Sequence, residues 1–105
     1  MSYTFEYDNR LGITIPDLHK FWDQYSKEEQ AEILFKWEKI RGTIPDRIKD
    51  LEIEINNKQE QLNVEENFEK SCQLNSDIAE LASIINDLWL WFRANQRIDS
   101  GKTHA

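Results

Sequence analysis

The chain has 105 residues, 31% of them charged, and a formal net charge of −7. That length suits one domain with a modest core, and the negative charge sets it against nucleic acid and anionic membrane, so neither is expected as a partner. One cysteine excludes an internal disulfide, no apolar run reaches the ~18 residues of a spanning helix, and no secretory leader pattern opens the chain, so the expected location is cytoplasmic.

The first fifteen residues alternate: Tyr3, Phe5 and Tyr7 with Thr4, Glu6 and Asp8, then Ile13 and Ile15 around Thr14. This is an extended N-terminal arm, with Asp8-Asn9-Arg10 as a turn between two short extended pieces. A tetrapeptide then occurs twice, Thr14-Ile15-Pro16-Asp17 and Thr43-Ile44-Pro45-Asp46. Pro suits the first turn of a helix and Asp there faces the unpaired N–H groups, so each copy is read as a helix start. The first opens a short helix over about 16–25, with Leu18, Phe21, Trp22 and Tyr25 as its stripe.

Ser26 with Glu29 forms a capping box, and a second short helix over about 27–41 carries Ile33, Leu34, Trp37 and Ile40, stopping at Gly42. From Ile44 the apolar positions run 44, 48, 51, 55 and 62, with Lys58 in the missing slot of a heptad rhythm. Asn63 followed by Glu66 reads as another helix start. The last helix then repeats the rhythm at Leu74, Ile78, Leu81, Ile85, Leu88 and Phe92, with Cys72 near its apolar face as a small buried hydrophobe. Two heptad helices joined by so short a turn must run antiparallel.

The expected fold is therefore all-α. An antiparallel, coiled-coil-like helical hairpin (about 45–62 and 64–97) carries an aromatic head of two shorter helices (about 16–25 and 27–41) and the extended arm. Residues 1–98 form one domain, head 1–43 and hairpin 44–97, and 99–105 a flexible tail. Charge and aromatics are both uneven. Residues 44–80 hold ten acids against four bases, and residues 38–67 contain no Phe, Trp or Tyr. The turn end of the hairpin is thus aliphatic and acidic, and residues 3–37 are expected to pack around the last turns of the final helix.

Those last turns are where the apolar pattern leaves one face. At 100° per residue Leu88, Trp89, Leu90, Trp91 and Phe92 point all round the axis. A helix apolar on every side has to be covered on more than one flank. These five are the candidate interface residues, and a homodimer or another protein partner is the expected complement.

No chemistry of another kind stands out. His19, His104 and Cys72 offer neither zinc-ligand spacing nor a nucleophile–base pair, and Gly12, Gly42 and Gly101 stand apart from any phosphate-cradling loop. Glu28-Glu29-Gln30-Ala31-Glu32 resembles the Glu-Glu-x-x-Glu half of the carboxylate signature of all-α nucleotide pyrophosphohydrolases of the MazG type, but no Glu-x-x-Asp occurs to supply the other half. No catalytic residue, cofactor or metal is assigned. The expected function is a non-enzymatic protein–protein interaction or oligomerisation module acting through apolar helix faces. The alternatives are a metal-dependent all-α nucleotide hydrolase built from helical carboxylates (Glu65, Glu66, Glu69, Asp77, Glu80) and an acidic inhibitor of a DNA-binding or kinase partner.

Overall fold

The structure, a computed structural model, describes residues 2–94. The expected end of the last helix near 97 and the tail at 99–105 lie outside the described residues. The chain runs as strand β1 (Tyr3–Asp8), strand β2 (Ile13–Leu18), a 3-10 turn (Trp22–Gln24), then helices α1 (Lys27–Arg41), α2 (Ile44–Val64) and α3 (Phe68–Phe92). It is mostly helical, with two long helices packed as a hairpin, and is not purely all-α.

The departure lies at the N-terminus. The expected helix over 16–25 is absent: residues 13–18 pair antiparallel with β1, in register from Tyr3 opposite Leu18 to Asp8 opposite Ile13. Both strands of a two-stranded sheet are edge strands, so Pro16 leaves no ladder bond unmade that a central strand would need. Thr14 and Ile15 are β-branched and fit the pleat. The turn between the strands is closed by the Gly12 N–H donating to the Asp8 carbonyl at 2.8 Å and the Leu11 N–H to Asp8 Oδ1 at 2.8 Å. Gly12 takes φ 76°, a backbone region that favours glycine. A hairpin of this size is marginal alone, and it is tied down on three sides. Arg10 reaches Glu80, Ser83 and Asp87 on α3 at 2.9, 2.9 and 2.7 Å, Arg47 Nε donates to the Leu11 carbonyl at 2.9 Å, and the Tyr25 hydroxyl donates to the Ser2 carbonyl.

Helix α1 begins as the capping box requires. Ser26 Oγ accepts from the Glu29 N–H at 3.1 Å and Glu29 accepts from the Ser26 N–H at 3.1 Å. Gly42 sits at its C-cap in the right-handed helical region, φ −63° and ψ −19°, so the helix ends there without using glycine's left-handed freedom. The second Thr-Ile-Pro-Asp does start a helix: Thr43 is the N-cap of α2 and Pro45 lies in its first turn. The hairpin turn falls later than the Asn63–Glu66 pattern predicts. Helix α2 continues to Val64, and Asn67, four residues beyond Asn63, caps α3 by accepting from the Lys70 N–H at 3.0 Å.

Burial grades along the hairpin. Ile44, Ile48, Leu51, Leu81, Ile84 and Leu88 are buried together with Trp37, Leu11 and Ile13 in the main core, where α1 and the β-hairpin lie against both long helices. Tyr3, Tyr25 and Ile33 form a second, smaller cluster. Beyond Leu51 the two long helices have only each other, and Ile55, Leu62, Leu74 and Ile78 are half-buried. In that stretch Lys58 fills its heptad slot by pairing with Asp77 at 3.3 Å, while Gln73 donates to the other Asp77 oxygen at 2.8 Å. Cys72 is exposed, against the expectation of burial, because Ser71 and Leu74 take the inward positions of that turn. The molecule measures 59 × 24 × 23 Å with a radius of gyration of 18.0 Å, against about 13 Å for a compact chain of similar length.

Candidate interaction surfaces

The end of α3 sorts its five apolar residues into three environments. Leu88 is fully buried in the main core. Trp91 packs edge-on against the buried Trp37, centroids 5.6 Å apart. Phe92 lies under the Arg41 guanidinium at 4.4 Å, and Arg41 Nε donates to the Phe92 carbonyl at 2.8 Å, so one α1 side chain covers the ring and satisfies a helix-end carbonyl. Trp89 and Leu90 point elsewhere and are 38% and 44% exposed. The chain's own core therefore buries Leu88 fully, and Trp37 and Arg41 of α1 cover Trp91 and Phe92 in part, leaving Trp89 and Leu90 at the surface. Trp89 is braced edge-on against Phe92 at 5.5 Å, which limits the rotamers open to it.

A second apolar surface lies at the opposite end, and sequence reasoning missed it. Val64 and Phe68 flank the three-residue turn of the hairpin and are 78% and 80% exposed. The signal was in the heptad phase. Continuing α2 from Leu62 puts the next inward position at 65, and running α3 back from Leu74 gives 71 and 67, so both residues fall off the stripe. Acids neighbour them in the sequence, between Lys58, which Asp77 pairs, and Lys70. Residues 59–69 contain Glu60, Glu65, Glu66 and Glu69 and no Lys or Arg, and among the described residues none of the four is ion-paired.

Carboxylates elsewhere are taken up by the fold. Asp77 is held below the usual carboxylate range by hydrogen bonds from Gln73 and then Lys58, and Glu29 likewise by the Ser26 N–H of its capping box. Arg10 is pushed up by its bonds to Asp87 and Glu80. The Tyr3 hydroxyl donates to Glu32, and that bond, helped by desolvation, pushes it up to about 12. Among the described residues no three His, Cys, Asp or Glu side chains gather as a cation site would need, and no helix there is long and apolar enough to cross a membrane. Trp22 and Trp37 each bury an indole N–H that finds no acceptor among the described residues.

No family model, curated protein or solved structure matches this chain.

Proposed function

We propose that the chain is a non-enzymatic interaction module that self-associates through the apolar surface at the end of α3. The observation that carries this reading is the exposure of Trp89 and Leu90, at 38% and 44%, beside neighbours the chain covers itself. A two-fold axis through this surface sets the pair on one copy against the pair on the other, and Trp is among the residues that most often anchor interfaces. Charge favours this end for a second copy. Among the described residues, 81–94 carry one acid, Asp87, which Arg10 pairs, and one base, Arg93, whereas 44–80 carry ten acids against four bases, so two copies meeting here bring few unpaired acids together. Two side chains are a small anchor, so the dimer is weak and forms at high micromolar concentration.

Light scattering after size exclusion tests the reading. The wild-type chain at high micromolar concentration should approach twice its 12.6 kDa mass. Trp89→Ser with Leu90→Ser should return it to the monomer with its helical circular dichroism unchanged. A wild-type monomer at that concentration would overturn the proposal.

A further inference from the structure

The tip of the hairpin, in a molecule 59 Å long, does nothing for the core. From Leu51 to Val64 helix α2 runs on for about 20 Å at 1.5 Å per residue, packed only against α3. At its end stand two large apolar side chains that water covers by four-fifths. They are held on an ordered turn. The Glu65 N–H donates to the Leu62 carbonyl at 3.3 Å, Glu65 accepts from the Asn67 N–H at 3.1 Å, and Asn67 caps α3. An apolar pair on a fixed turn loses little conformational freedom when it is covered.

We propose that Val64 and Phe68 dock a basic amphipathic helix of a partner protein, its apolar stripe on these two residues and its flanking Lys and Arg side chains among Glu60, Glu65, Glu66 and Glu69. Charge selects this occupant. A second copy's tip brings four more acids against these four, and anionic lipid or nucleic acid is repelled in the same way. What complements an apolar pair beside carboxylates that have no ion-pair partner among the described residues is an apolar stripe edged with bases, the pattern of a basic amphipathic helix. This rests on the reading of the chain as an interaction module and adds a second surface, chemically unlike the first, at the far end of the molecule.

The test titrates the full chain into a fluorescent synthetic peptide of Leu and Lys in helical spacing, with a scrambled peptide of the same composition as control. Saturable binding that prefers the amphipathic order is expected. Val64→Ala with Phe68→Ala should weaken it about tenfold or more with the fold intact, since neither residue touches the core. Glu65→Gln, Glu66→Gln and Glu69→Gln together should weaken it and flatten its salt dependence. Equal affinity for the scrambled peptide, an unchanged affinity in the Val64/Phe68 variant, or no binding would each overturn the proposal. So would a loss of self-association in that variant, because the occupant would then be a second copy. The Trp89/Leu90 variant keeps the two surfaces distinguishable. It should bind the peptide as the wild type does, while the scattering mass decides self-association separately.

Discussion

The two described glycines of the fold make opposite demands on the backbone. Gly12 has φ 76°, and a Cβ there would lie 2.5 Å from Arg47 Nε, the atom that holds the Leu11 carbonyl. Gly42 is helical, and a Cβ there would meet nothing nearer than 3.5 Å. Gly12→Ala should therefore cost about 1 kcal/mol or more, and Gly42→Ala should gain about 0.5–1 kcal/mol by lowering the entropy of the unfolded chain. Urea unfolding checks both, and a stabilised Gly12→Ala would mean that the turn relaxes around the new side chain. Tyr3 is a second residue whose behaviour follows from its neighbour. Below its ordinary value of 10.0 it is neutral folded or unfolded, and its bond to Glu32 contributes in full. Between that value and about 12 the unfolded chain releases the proton while the folded chain keeps it, so stability falls as pH rises across that window. Thermal melts between pH 8 and pH 12 should show the loss, and Tyr3→Phe should be less stable at pH 8 but lack that part of the slope. Asp77 and Glu29 work in the other direction. Both are held below the usual carboxylate range, so their contribution is present above it and lost as pH falls through their lowered values.

At the scale of elements, the hairpin of α2 and α3 is a seam with one polar rung. Lys58 stands in an inward slot of the α2 rhythm and pairs with Asp77, which lies beside the slot that Ile78 fills on α3, and their side chains are 25% and 35% exposed. A half-buried ion pair contributes little net stability, because solvation is given up to form it and water still screens what remains. Lys58→Leu with Asp77→Leu should therefore raise the melting temperature by a few degrees, for about 1 kcal/mol gained. Lys58→Ala alone should lower it. If the double variant melts lower than the wild type, the pair fixes the register of the two helices and its loss lets them slip. The twin tetrapeptides teach the complementary point. Thr-Ile-Pro-Asp starts α2, where Ile44 is fully buried in the main core, and lies within β2, where β1 offers a paired edge. The same four residues satisfy both environments, so the local signal could not choose between them.

Across the whole molecule, the two ends differ in kind. The wide end gathers the tryptophans Trp37, Trp89 and Trp91 with the buried core, and the narrow end presents Val64 and Phe68 near acids that have no ion-pair partner among the described residues. The proposed self-association belongs to the wide end, where the excess of acids is smallest. The proposed docking of a basic helix belongs to the narrow end, where the excess is greatest. High salt should separate them in one sample: capture of the basic peptide weakens with added salt, while the scattering mass, set by apolar contact, holds or rises.

Much of this architecture is written in periodicity. The Ser26–Glu29 cap and most heptad positions from Ile44 to Leu62 and from Leu74 to Phe92 appear in the structure as read, but Ile84 is buried more deeply than the heptad residue Ile85, and the alternation of the first strand stops at Tyr7, which is exposed. Each that holds is a local pattern whose preferred geometry agrees with its surroundings. The five residues at the end of α3 were also legible as a group in need of cover, but the sharing of that cover was not. Burying Leu88, half-covering Trp91 and Phe92 and leaving Trp89 and Leu90 outside depends on the angle at which α1 and Arg41 approach, and no spacing encodes it. By itself, the sequence determined a helical hairpin, aromatic at one end and acidic at the other. Tertiary structure alone decided that residues 13–18 join a sheet, that Arg10 and Arg47 pin its turn to the long helices, and that Trp89 and Leu90 stay exposed while Leu88 is buried, because each depends on partners distant in the chain.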